Sequence, residues 1–365
     1  MYKILATAAL ALALAACGGQ DKANQQAGGA APPASGVSIS GAGATFPAPV
    51  YARWATDYRT QTGVSVNYQP IGSGGGIRQI KAGTVDFGGT DKPLQQAELS
   101  EAQLSQFPAV LGGVVPVLNL PGVQPGQLRL TGAQLADIFR GEIKSWRDPR
   151  LAPAAPGVTL PNLPITVVHR SDGSGTTFLF TSYLAAKSQP WASQVGANDA
   201  VEWPAGLGGK GNDGVAALVK QTAGSIGYVE YTYARENNMA HAQLQAHDGA
   251  FVNPEPATFA AAAEGADWTK APGFYLLLLD QPGANAWPIT GATFVLVSKV
   301  KDQAKTAEVL KFFDWTLANG DAAAAELGYV PLPAALKDLV RKAWASELPG
   351  AAPKAAAASP AAPQG

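Results

Sequence analysis

An apolar run, Ile165 to Val168, leads into Arg170-Ser171-Asp172-Gly173-Ser174-Gly175-Thr176, and a helical pattern then runs from Thr177 to Lys187. This strand–turn–helix unit constrains the fold more than any other stretch. Glycines let the turn pass close to a neighbour, and a helix start leaves unpaired N–H groups pointing outward. Ser174 and Thr176 add hydroxyl donors and Arg170 adds a fixed positive charge, so the turn reads as a cradle for an oxyanion such as phosphate.

The same rhythm recurs along the chain. Val37 to Ser40 reads as a strand, Phe46, Val50, Trp54 and Tyr58 recur every fourth residue as a helix face, and Val64, Val66 and Tyr68 alternate as the next strand. Further strands are expected at 112–119, 226–231 and 293–297. A short helix is marked by Leu135, Ile138 and Phe139, and an amphipathic one by Val309, Leu310, Phe312, Phe313 and Leu317. Strands alternating with helices imply an α/β fold with a parallel or mixed sheet.

In such sheets ligands sit beyond the carboxyl ends of strands, where loops enter helices. Two more turns share that position. Thr45 and Pro47 in Gly41-Ala42-Gly43-Ala44-Thr45-Phe46-Pro47 suit a helix cap and a first helical turn, and Gly72-Ser73-Gly74-Gly75-Gly76 precedes the helical run 77–82. Each alone reads as an ordinary capped turn; three of them rich in glycine and hydroxyls favour one shared oxyanion site.

The ends lie outside this pattern. Lys3, the apolar stretch from Ile4 to Leu14 and the small residues before Cys17 have the layout of an export signal (1–16), too short to span a bilayer. Leu14-Ala15-Ala16-Cys17 resembles a bacterial lipobox, which makes Cys17 the expected lipid-bearing residue. It is the only cysteine, so no internal disulfide forms. Residues 17–36 suit a flexible tether and 346–365 a disordered tail. What lies between is long enough for two lobes at about 150 residues per domain. With 26 basic and 27 acidic side chains the net charge is -1, which excludes a broad basic field for nucleic acid.

The turns at 41–50, 72–76 and 170–176, together with Val85-Asp86-Phe87-Gly88-Gly89-Thr90-Asp91, resemble the phosphate-binding proteins of bacterial phosphate-specific ABC transporters. The likeness continues through 206–214, 286–290 and 310–315, and covers about residues 37 to 345. It implies a two-lobed periplasmic-binding-protein fold, each lobe a mixed sheet flanked by helices, joined by a two-strand hinge near Val114 to Pro116 and Trp287 to Ile289. Lobe I would be 37–114 plus 289–345, and lobe II 115–288. The implied phosphate ligands are Thr45, Phe46 through its N–H, Ser73 and Asp91 from one lobe, and Arg170, Ser174, Gly175 and Thr176 from the other, with Asp172 holding Arg170. It further implies permease subunits as partners, a monomer, and an extracytoplasmic location with a lipid anchor. No cofactor, metal or catalytic residue is implied.

The residues themselves leave alternatives. Asp91 could cap a helix near Leu94, and Arg170 could form a surface ion pair with Asp172. Arg170 is expected to offer its planar fork to two phosphate oxygens. Gly206-Leu207-Gly208-Gly209-Lys210-Gly211 fits G-x-G-x-x-G but follows Glu202-Trp203-Pro204, so it reads as a structural loop before a helix at 215–220. His169, Asp172 and Ser174 lie too close in sequence, and outside any nucleophile elbow, to form a hydrolase triad. His241 and His247 read as surface residues, and Trp203, Trp268 and Trp287 as core or interlobe packing. Competing functions are a receptor for sulfate, molybdate or a phosphonate, and a secreted phosphoesterase.

Overall fold

The computed structural model describes residues 36–353. The expected export signal, Cys17, the tether up to residue 35 and the last twelve positions lie outside the described residues. Eight strands carry the main sheet: β1 (Ser38–Gly43), β2 (Ser65–Pro70), β3 (Phe87–Thr90), β4 (Leu104–Asn119), β5 (Thr166–Arg170), β6 (Leu207–Gly209), β7 (Ser225–Glu230) and β8 (Thr290–Ser298). Five helices bear on the site: α1 (Ala48–Thr62), α2 (Ser73–Ala82), α3 (Gly175–Lys187), α4 (Gly211–Gln221) and α5 (Gln303–Asn319).

The sheet is mixed, in the order β2-β1-β3-β8-β4-β7-β5-β6, with a short strand at Ala240–His241 added to β4. β1 runs parallel to β2 and β3, and β5 parallel to β6 and β7. Between these groups β8 is antiparallel to β3 and β4, and β4 is antiparallel to β7. Parallel neighbours need crossover connections, and helices supply them.

β4 belongs to both groups. Leu104 to Gly113 pairs with β8, and Val114 to Asn119 pairs with β7. At the change of partner the Val114 N–H donates to the Ile289 carbonyl at 2.8 Å, and the Trp287 indole donates to the Val114 carbonyl at 3.0 Å. All of β4 except Asn119 is buried, so its first half shows no alternation, and its sequence marks only the second half as a strand.

Local chemistry explains the helix bounds. Pro47 precedes α1, and Gly63 ends it in the left-handed conformation with its N–H on the Arg59 carbonyl. The inward face of α1 is Val50, Tyr51, Trp54 and Tyr58. Tyr51, Phe87, Phe107 and Phe313 form an aromatic cluster on the β3/β8 side, with edge-on contacts of 5.3–6.4 Å between centroids. On the β7/β5 side Phe139, Phe180 and Tyr228 form a second, with Phe180 stacked on Tyr228 at 4.1 Å.

Several expectations change. Leu207–Gly209 is an edge strand and its helix starts at Gly211, not 215, so the 206–211 segment is no mere loop. The expected start of the tail, residue 346, falls inside the helix Ala334–Glu347, beyond which Leu348 and Ala351 are buried. His241 is half-buried in its short strand, whereas His247 is exposed beside Asp280. Among the described residues no helix is long and apolar enough to cross a membrane.

Candidate functional site

Four helix starts meet where four parallel strands end. β1 runs into Thr45, Phe46 and α1; β2 into Gly72 and Ser73, the first residue of α2; β5 into Arg170 and α3; β6 into Lys210 and α4. Asp91 follows the last residue of β3. Thr45, Phe46, Ser73, Asp91, Arg170, Ser174, Gly175 and Thr176 are all buried. A helix start concentrates donors and positive potential, so this convergence suits an anion.

Ser73 ties the two sides together. Its hydroxyl oxygen accepts from the Asp91 N–H at 3.2 Å and the Gly175 N–H at 3.0 Å. A hydroxyl has two lone pairs and one proton, so Ser73 keeps only its O–H to offer elsewhere. The fit leaves no room for a side chain at residue 175, where a Cβ would lie 2.6 Å from Asp91 Oδ2 and Ser73 Oγ. Ser174 caps α3 by accepting from the Thr177 N–H at 3.1 Å, which leaves the Thr176 N–H without an intrahelical partner.

The charges are arranged unequally. Arg170 donates from Nε and Nη2 to the two Asp172 oxygens at 2.8 and 2.6 Å, and its buried Nη1 has no partner among the described residues. The fork edge expected to face a ligand is thus taken by Asp172, and the Nη1 side remains. Arg170 is buried and Asp172 mostly so, so this is not a surface pair. Burial pushes the Asp172 carboxyl up, but the Arg170 bonds and the Gly211 N–H at 3.1 Å outweigh it and hold it below its ordinary value.

Asp91 is the opposite case. It is 1% exposed, and neither carboxylate oxygen has a hydrogen-bond partner among the described residues. Burial raises it from 3.8 to about 7, against smaller lowering effects from the Thr293 hydroxyl, which approaches it with geometry short of a full hydrogen bond, and from the Arg170 charge. It caps no helix; the Gln96–Ala102 helix is capped by Gln95. A buried carboxylate left without partners is costly unless something delivers a proton or a donor to it.

Two contributions escape the sequence reading. Asn212, fully buried at the start of α4, donates from its N–H and its Nδ2 to Thr45 Oγ1 at 3.2 and 2.8 Å, and from Nδ2 to Thr176 Oγ1 at 3.4 Å. Its only sequence signal is position, just after a glycine-rich edge strand. At the rim, Lys92 Nζ reaches Asn198 Oδ1 at 2.7 Å and Asp199 Oδ1 at 2.8 Å, and the Asp199 carbonyl accepts the Ser174 N–H at 2.8 Å. His169 stays out of the site, stacked on half-buried Trp203 at 4.7 Å, while Trp268 and Trp287 are buried.

Residues 27–319 match the PBP superfamily domain. The chain is 51% identical over 329 residues to the phosphate-binding protein PstS of Xylella fastidiosa, covering 89% of this chain and 90% of the relative. It is 51% identical over 321 residues to PstS of Haemophilus influenzae, covering 88% and 96%. PstS of the more distant Methanocaldococcus jannaschii is 37% identical over 322 residues, covering 81% and 83%. Among solved structures, the phosphate binding protein from Stenotrophomonas maltophilia superposes with a TM-score of 0.62 at 22% identity, covering 84% of this chain and 93% of that one. A high affinity periplasmic phosphate-binding protein bound with phosphate gives 0.67 at 24%, with the same coverage. The chain belongs to the PBP superfamily and has its two-lobed fold.

Proposed function

We propose that this PBP superfamily member binds one inorganic phosphate among the helix starts of α1, α2 and α3 and hands it to the permease of an ABC importer. The observation that carries the reading is the partnerless Asp91 carboxylate inside a ring of donors. Thr45, Phe46, Ser73, Arg170, Ser174 and Thr176 supply donors to the anion; Gly175, expected among them, has its single N–H on Ser73 Oγ and acts through that hydroxyl; Asp172 holds Arg170, and Asp91 is the one acceptor. Phosphate near neutral pH carries a proton and donates it to Asp91; sulfate carries none and sets a bare oxygen against the carboxylate in a desolvated site. A site built around a ligand hydroxyl rejects analogues without one by roughly 10⁴-fold or more.

Lobe I is 37–114 with 289–345, and lobe II is 115–288. The chain passes between them at Val114 to Pro116 and Trp287 to Ile289, and the Ser73–Gly175 and Lys92–Asp199 contacts form when the lobes close. The relatives named for phosphate binding support the ligand. Cys17 anchors the mature protein to a membrane on the extracytoplasmic side, where it acts as a monomer and without turnover. Calorimetric titration with phosphate and sulfate, with scattering profiles at the end points, tests the reading. The wild type is expected to bind phosphate, ignore sulfate and become more compact. Asp91→Asn is expected to keep phosphate and gain sulfate affinity by about 10²-fold. Unchanged selectivity would remove Asp91 from this role.

A further inference from the structure

We infer that Asn212 is a positioning residue: on closure it fills both lone pairs of the Thr45 hydroxyl and so turns that hydroxyl's proton onto the bound anion. The inference rests on the phosphate reading above and deepens it. Thr45 Oγ1 accepts the Asn212 N–H at 3.2 Å and the Asn212 Nδ2 at 2.8 Å. A backbone N–H can only donate, so the first bond has a fixed direction. The direction of the second follows from the other end of the amide. The Glu230 N–H donates to Asn212 Oδ1 at 3.1 Å, so the oxygen must face Glu230 and the NH₂ must face Thr45.

A hydroxyl with both acceptor positions filled has one role left, as a donor. Such an oxygen welcomes an anion and repels any ligand group that brings its own proton to that spot. Ser73 reaches the same condition through two backbone N–H groups, which no substitution short of proline removes. At Thr45 one of the two bonds comes from a side chain, so the device is open to mutation. Thr45 and Asn212 also lie in different proposed lobes, so an open cleft leaves the Thr45 hydroxyl free to rotate and closure pins it. The benefit therefore appears in how slowly the ligand leaves.

A double-mutant cycle tests this, using phosphate binding rates of the full chain. Asn212→Ala and Thr45→Val are each expected to raise the dissociation rate about tenfold or more, and the double variant to exceed the worse single by no more than about twofold. Asn212→Ala combined with Ser73→Ala is expected to multiply the two effects. Should Asn212→Ala fold poorly, Asn212→Asp keeps the volume and removes the side-chain donor; its loss is expected to shrink in a Thr45→Val background. Additive effects of Asn212 and Thr45 in both versions overturn the inference while leaving phosphate binding intact. A wild type that binds no phosphate overturns the underlying reading instead.

Discussion

The ends of β3 and β7 each bury a carboxyl group, and the two are treated in opposite ways. Glu230, the last residue of β7, accepts from the Thr232 N–H at 2.9 Å, lies 3.3 Å from the Thr232 hydroxyl and touches the Tyr329 hydroxyl at 3.2 Å. The Tyr329 hydroxyl also reaches the Phe46 carbonyl at 2.7 Å and the Thr232 hydroxyl the Leu327 carbonyl at 2.9 Å, so both hydroxyls tie Glu230 to the surrounding backbone. Burial pushes Glu230 well above its ordinary value, against smaller lowering effects from the Thr232 and Tyr329 bonds. Asp91, equally buried, has no partner among the described residues and rises to about 7. A buried carboxyl whose bonds the fold completes is architecture; one whose bonds it leaves open is addressed to something that arrives.

The sharpest way to break this contrast is to remove the charge that faces the open carboxylate. Arg170→Ala deletes the buried cation, strands Asp172 and is expected to cost phosphate binding about 10²- to 10³-fold, from a charge-assisted contact and a broken buried pair. Ser73→Ala is expected to lose about tenfold. Equal losses in calorimetry would argue that Arg170 does not face the ligand.

The next test is pH. Asp91 has a raised folded value, so the folded, ligand-free protein holds a proton that the unfolded chain releases near 4. Its contribution to stability is fully present below about pH 4 and is lost as pH rises through about 7, at about 1.4 kcal/mol per unit across that window. Urea unfolding from pH 4 to 8 is expected to slope downward, and Asp91→Asn to flatten the slope by Asp91's share. Glu230 adds a slope of the same sign. Saturating phosphate is expected to remove only the Asp91 part, because only that group meets the ligand. An equal response of both would erase the distinction between them.

The smallest effect is expected at Glu230 itself. Glu230→Gln mimics the neutral acid, so phosphate affinity should change less than about twofold and stability at pH 5 by less than about 0.5 kcal/mol. A loss of sulfate exclusion in this variant would assign Glu230 to the ligand after all.

The strand–turn–helix units and the residues of their turns were legible because glycine, hydroxyl and capping signals are local. β1, α1, β2, α3 and α5 fall where periodicity puts them, with bounds shifted by a few residues. β4 was half legible, since a strand buried on both faces loses its alternation; buried Gln106 in its first half, bonded to the Leu94 backbone and the Gly273 carbonyl, reads as polar and surface-like. Asn212 was not legible at all. Its partner Thr45 is 167 positions away, and only the meeting of the first turn of α4 with the turn after β1 makes them neighbours. Asp91 entered through the family resemblance alone, its residues leaving a helix cap equally open, and its lack of partners is a property of the whole packing.

The shared strand β4 carries a further consequence for how the molecule comes apart. Sixteen residues long, it runs roughly 50 Å and is hydrogen-bonded on one stretch to β8 and on the next to β7. Neither half of the sheet can melt without stripping a strand that the other half still holds. The two lobes are therefore expected to unfold in one calorimetric transition, and two resolved transitions would show that the shared strand does not couple them.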